Sequence, residues 1–402
     1  MNHRQRVLAA LRHQEPDRLP VDFGGTVDST ISAFSYQALR RALDLPPTLT
    51  RVQDVYQYTA VVEDDVRRVL GVDTAPVLDQ PAEWRPGSLP DGTPARFPTR
   101  FQPETRPDGT QVVTDEAGTV LLKMPAGGHY FDPLHAPLAD AESVAEIDRC
   151  LDWIETYDRP AHLDLAYEDL AATARALRQN SDYLLVGFFG GHIFQAAQSL
   201  RGWELFLVDL LRNQTFAQAL LDRLAEANVR RFARYAETVG RYVDVIHFED
   251  DLGMQDRLLL RPELYREVVK PYHSQFFRFA RETFAGHLLF HSDGAIAPLI
   301  PDLIEMGIDA INPVQVSAAG MDPETLKREF GRDMAFWGGG CDSQRVLPFS
   351  GPDEVADEVK RRIDALAPGG GFVLGPIHNV QAGVPLENLV TMFRVAREYG
   401  VY

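Results

Sequence analysis

From Pro137 to the C-terminus, apolar and polar positions fall into a regular alternation. Short, mostly apolar runs are separated by long stretches with apolar residues at helical spacing. The runs are YLLVGFFG (183–190), VDVIHFED (243–250), GHLLFHSDG (286–294), GIDAINPV (307–314), MAFWGGG (334–340) and GGFVLGPIHN (370–379). Each predicts a strand. The stretches 215–240, 261–284 and 352–368 predict helices, and residues 2–13 place Val7, Leu8 and Leu11 on one face of another. Strands and helices alternating at these lengths require parallel strands joined by right-handed crossovers. LPVDFGG (19–25) and APVLD (75–79) add two strands, giving the count for a closed (β/α)8 TIM-type barrel. A doubly wound open sheet is the rival. It is disfavoured because no glycine cluster here forms a G-x-G-x-x-G turn opening a helix.

Between about 80 and 135 the texture changes to short β-like pieces separated by Asp-Gly and Gly-rich turns, as in PDGTPARFPTRF and RPDGTQVVTDEAGTVLLKM. This predicts an inserted antiparallel hairpin or meander. No repeat, low-complexity tract or linker interrupts the rest, so residues 1–402 are expected to form a single domain carrying the insertion.

Composition narrows the partners. Forty Lys and Arg stand against 58 Asp and Glu, a formal net charge of −18. That excess repels the phosphate backbone, so no nucleic-acid partner is expected. No apolar run reaches the roughly 18–20 residues needed to span a bilayer, and no membrane association is expected. With only Cys150 and Cys341, and no secretory pattern in the opening segment, the protein is expected in the cytoplasm with reduced thiols.

In a barrel the C-terminal ends of the strands line one mouth, and polar residues after an apolar run report on chemistry. Here LLF is followed by His291, Ser292 and Asp293, and VDVIHF by Glu249, Asp250 and Asp251. FVLGPI is followed by His378, LLVGFFGG by His192, and AIN ends on Asn312 with Gln315 beyond. His291 and Asp293, two apart, share one side of an extended segment and can hold one ion, with His378 returning to the same mouth. Alternatively, Asp293 caps the following helix and the histidines make ordinary buried hydrogen bonds. Glu249, Asp250 and Asp251 suit a metal, a general base or a substrate contact, and equally a turn in which an Asp caps a helix. His192 is placed either at a helix N-terminus that favours anions or as a structural histidine. Asn312 and Gln315 complete a candidate substrate-binding set with His192. Cys341 has no partner at C-x-x-C spacing and is expected to be unreactive, and Ser292 lacks a nucleophile elbow.

The segments RQRVLAALRHQEPDRLPVDF (4–23), 114–143, SLRGWELFLVDLL (199–211), FEDDLG (248–253), 291–315 and VPLENLVTMFRVAREYG (384–400) together resemble the uroporphyrinogen decarboxylase superfamily. The most specific parts are H-x-[CD]-G and the strand-end residue seven before the proline of P-L-E-N. The resemblance implies a (β/α)8 barrel and one of two activities, the cofactor-free decarboxylase of haem synthesis or a zinc-dependent corrinoid methyltransferase. The decarboxylase carries arginines that grip tetrapyrrole carboxylates, and VDFGGTVDST (21–30) has none at that place. The methyltransferase branch is the closer, with Asp293 and His378 standing where it has cysteine ligands.

The resemblance therefore implies a divalent metal, with Zn2+ the first candidate, held by His291, Asp293 and His378. Oxygen and imidazole ligands make a harder ion than thiolates do, which suits an O- or N-methylated small molecule better than a thiol. The expected activity is transfer of that methyl group to a corrinoid on a partner protein, since the chain has no D-x-H-x-x-G segment of its own. Glu249, Asp250 or Asp251 would orient substrate or manage a proton. A decarboxylase or lyase acting on a small carboxylate and a non-catalytic binding barrel are the alternatives. A homodimer is expected by resemblance.

Overall fold

The protein is described by a computed structural model covering residues 1–81, 83–115, 117–157 and 166–402. Seven strands form one curled parallel sheet in chain order: β1 (Thr74–Val77), β2 (Leu184–Gly190), β3 (Val245–Glu249), β4 (His287–His291), β5 (Ala310–Asn312), β6 (Ala335–Trp337) and β7 (Phe372–Val373). Residues 20–22 supply the eighth stave. Val21 forms a parallel bridge with Leu374 next to β7. On its other side the Asp73 amide donates to the Val21 carbonyl at 2.8 Å, beside β1.

This closure is pinned by charge. The buried Asp73 carboxylate accepts from the Val21 amide, His3 Nδ1, Arg6 Nη1 and both terminal nitrogens of Arg18, all within 2.9 Å. A buried carboxylate is tolerated when its lone pairs are filled in this way. The helix α1 (His3–Leu11) lies under the barrel floor, where Val7 and Leu11 pack against Leu184, Val186, Val245 and Leu289.

Side-chain parity sorts every strand. Val245, Leu289, Ala310, Ala335 and Trp337 point into the barrel, whereas Ile246, Phe248, Leu288, Phe290, Ile311 and Phe336 pack outward against the helix ring. The lower part of the barrel is therefore lined mainly by apolar side chains. By the same period of two, the inward residues one step higher are His247 and Glu249 on β3, His291 on β4 and Asn312 on β5.

Two expected elements differ in detail. The helix expected at 261–284 is two helices, Pro262–Val268 and α2 (Lys270–Thr283). Pro271 explains the break, because it lacks an N–H and its ring collides with the carbonyl four residues earlier. The insertion at 80–135 is a hairpin (Trp84–Ser88 with Pro94–Pro98) joined by Thr50–Arg51, then a four-stranded antiparallel meander from Glu104 to Pro133. Its core is aromatic, with Phe97, Phe101 and Phe131 edge-on to Tyr58. Residues 82 and 116 of this segment lie outside those described. Among the described residues, no helix is long and apolar enough to cross a membrane.

Candidate metal centre

Register brings the mouth together. Glu249 is paired with His291 across β3 and β4, and His291 with Asn312 across β4 and β5, so the three side chains enter the barrel at one level. Asn312 Oδ1 lies 2.7 Å from His291 Nδ1 while its Nδ2 donates to the Trp337 carbonyl at 3.2 Å. The amide is oriented by a backbone group and in turn orients the imidazole.

The loop after the eighth stave brings in a carboxylate that strand ends alone do not reveal. Residues 24–29 fold over the mouth, with the Gly24 amide donating to the Ser29 carbonyl at 2.8 Å and the Thr26 amide to Ser29 Oγ at 3.1 Å. Gly25 makes this path available, since a Cβ there would sit 2.2 Å from Thr74 Oγ1. Asp28 is thereby buried among three imidazoles. Its Oδ2 is 3.3 Å from His291 Nδ1 and 3.5 Å from His247 Nε2, and its Oδ1 is 3.5 Å from His378 Nε2. Beyond His247, Glu249 Oε1 lies 3.9 Å from His247 Nε2 and Glu249 Oε2 lies 3.3 Å from His192 Nε2.

The electrostatics is that of a site with surplus negative charge. Burial alone would lower the His291 pKa, but Asp28, Asp293, Glu249 and Asp251 outweigh it and lift the imidazole to about 10. His247, wholly buried, is pushed down to about 3 by desolvation, which the charge of Asp28 only partly offsets. Burial, reinforced by Glu249, raises the Asp28 carboxyl. Glu249 is held below the usual range, because His192, His291 and Asp28 outweigh its own burial. Asp251 is raised, chiefly by desolvation.

Among the described residues, three groups of ligand atoms lie close enough to hold an ion, each within 4.8 Å: Asp28–His291–His378, Asp28–His247–Glu249 and Asp251–His291–Asp293. His291 belongs to two of them. The expected trio of His291, Asp293 and His378 is thus divided, with Asp293 on the Asp251 side of the imidazole and His378 on the Asp28 side. Asp28 Oδ2, Glu249 Oε1 and both ring nitrogens of His247 are buried without a hydrogen bond. Buried polar atoms are rarely left so, and nitrogen and oxygen donors in this number fit a divalent cation. Cys341 lies outside these groups, its thiol buried and pushed up by desolvation.

The remaining expected residues take distinct places. Asp250 is turned away from the mouth. It accepts from the amides of Ile193, Phe194 and Gln195 at the start of the helix Phe194–Arg201, and lies 2.9 Å from His273 Nε2. Of the alternatives for Asp250 this is the helix cap, and the amides after His192 are already taken by its carboxylate. Asp251 accepts from the Asp293 amide at 2.9 Å and Gln315 from the Gly294 amide at 2.7 Å, so both brace the turn after β4. His192 meets Glu249 and stacks edge-on to Tyr157.

Sequence reasoning missed Asp28 and His247. For His247 the signal was present, since it precedes Glu249 by two positions as His291 precedes Asp293. For Asp28 the only signal was the acidic VDFGGTVDST where the resemblance leads one to look for arginines.

The sequence model of the family described as uroporphyrinogen decarboxylase (URO-D) matches residues 133–399. Among solved structures, a methyltransferase from Methanosarcina mazei is similar over 99% of both chains, with a TM-score of 0.61 and 16% identity, a likeness of fold. A GH113 beta-1,4-mannanase (TM-score 0.34, 12% identity, 63% of this chain and 93% of that one) and a D-psicose 3-epimerase (0.32, 11%, 64% and 91%) align more weakly. No curated protein matches the sequence.

Proposed function

Because the chain belongs to the uroporphyrinogen decarboxylase family, we propose that it is a metal-dependent methyltransferase that takes a methyl group from a small O- or N-methylated compound and passes it to a corrinoid on a partner protein. The observation that carries this reading is the mouth itself, where Asp28, His291 and His378 gather ligand atoms within 4.8 Å of one another and Asp251 and Asp293 do the same on the other side of His291. Such a set calls for a cation. It also opposes a carboxylate substrate, which disfavours the decarboxylase alternative.

In this reading His291, His378 and Asp28 hold the metal, with Zn2+ the first candidate, and Asn312 orients His291. When bound, a divalent ion with these donors polarises the ether oxygen or amine nitrogen that carries the methyl group. Asp251 and Asp293, partly open to solvent, line the approach on the other side of His291. His192, positioned by Glu249 at 3.3 Å, can hold a proton for the heteroatom left behind when the methyl group departs. Asp250 positions the strand end and the helix after His192 and does not meet the substrate.

The test is a panel of O- and N-methylated compounds incubated with the protein and a reduced corrinoid, following methylation by the change in the corrinoid spectrum. Transfer is expected for some member, and it should be abolished by chelation and by His291→Ala. Release of CO2 from a carboxylate panel without methyl transfer would replace this reading with the lyase.

A further inference from the structure

We propose that the mouth holds two metal ions, the second bound by Asp28, His247 and Glu249, with Asp28 bridging to the ion at His291 and His378. The proposal rests on the metal-dependent reading above and extends it to a second position.

Three independent features point to it. Two of the three groups of ligand atoms, Asp28–His247–Glu249 and Asp28–His291–His378, are each gathered within 4.8 Å and have Asp28 alone in common. The Asp28 carboxylate faces both groups, its Oδ1 3.5 Å from His378 Nε2 and its Oδ2 3.5 Å from His247 Nε2 and 3.3 Å from His291 Nδ1. A carboxylate so placed between two groups of donors can be shared by a pair of ions about 3.5–4 Å apart. Finally, each residue at the second position has a buried ligand atom without a hydrogen bond: Asp28 Oδ2, Glu249 Oε1 and both ring nitrogens of His247, a residue with no exposed surface.

His247 is the informative member. Its place on β3, directly above the inward Val245, is one where the barrel interior elsewhere carries an aliphatic or aromatic side chain. An imidazole there with no donor or acceptor partner loses its hydration and gains nothing in return, unless an ion supplies the partner. A salt link to Asp28 does not fill that need, because the 3.5 Å contact makes no hydrogen bond. Glu249 brings a second carboxylate, so the position offers two oxygens and one nitrogen, a donor set for Zn2+, Mn2+ or Co2+.

The experiment loads metal-depleted protein with Mn2+, removes excess ion, and measures the metal-to-chain ratio together with the electron paramagnetic resonance spectrum. Two ions per chain with an exchange-coupled spectrum are expected, falling to one uncoupled ion in His247→Ala. The wild-type ratio and spectrum decide the matter even if that variant fails to fold. One uncoupled ion per wild-type chain, with methyl transfer still abolished by chelation, would overturn the two-ion proposal and leave the metal-dependent reading standing. No ion bound, with methyl transfer indifferent to chelation, would overturn both.

Discussion

Metal uptake should release the proton that His291 carries in the absence of an ion. Four carboxylates lift this imidazole from its ordinary 6.5 to about 10, a difference of ~5 kcal/mol at 1.36 kcal/mol per pKa unit. At pH 7 a group with that pKa is protonated about a thousandfold over its neutral form, and only the neutral form can bind a cation. Apparent affinity is therefore expected to strengthen about tenfold per pH unit between pH 7 and 9, with the raised Asp28 carboxyl able to steepen the slope. Calorimetric titration with Zn2+ in buffers of different ionisation enthalpy counts the protons directly, and about one per ion is expected from His291. In Asp28→Asn the largest charge lifting His291 is gone, so the pH at which the slope flattens should fall. An affinity independent of pH, with no proton released, would refute the placement of a charged His291 at the metal position. The same lift gives a stability signature without metal. The stabilisation is fully present below pH 6.5 and is lost as pH rises through about 10, so the melting temperature of metal-free protein should decline across that window.

Asn312→Ala removes the group that orients His291 and should weaken metal binding by about 10–100-fold with little change in melting temperature, measured by competition with a chelator. Asp250→Ala strands three helix amides and the His273 ring, at about 1–3 kcal/mol for each buried group left unmade, so urea denaturation should show a loss of at least ~3 kcal/mol. A loss below about 1 kcal/mol would mean that water replaces the carboxylate. Asp73→Ala leaves Arg6 and Arg18 facing each other at the barrel closure and should lose about 3–5 kcal/mol. In the parent protein Asp73 stays below the usual carboxylate range, because its cationic and amide partners outweigh its burial. Its contribution is thus present above the unfolded value and lost as pH falls through the folded one, which acid denaturation of the parent and Asp73→Asn compares.

What the chain determines by itself is whatever depends on neighbours in sequence. The period-two alternation that names the strands also decides which of their side chains face inward, and on that rule His247, Glu249, His291 and Asn312 were legible at the inward positions of β3, β4 and β5. The turns of the insertion and the parallel β–α alternation were legible for the same reason, since each is written in a few consecutive residues. The tertiary structure decided the rest. Asp250 and Asp251 are adjacent in sequence and alike in chemistry, yet one is consumed by the amides of a helix some fifty-five residues earlier while the other faces the mouth. Asp28 lies on a loop, where no periodicity fixes direction, and becomes the hub of three imidazoles only because the eighth stave closes the ring between Leu374 and Asp73 and delivers that loop over the barrel. A carboxylate's role is set by the donors around it, and here those donors come from strands and loops hundreds of residues apart, which no local pattern can bring together.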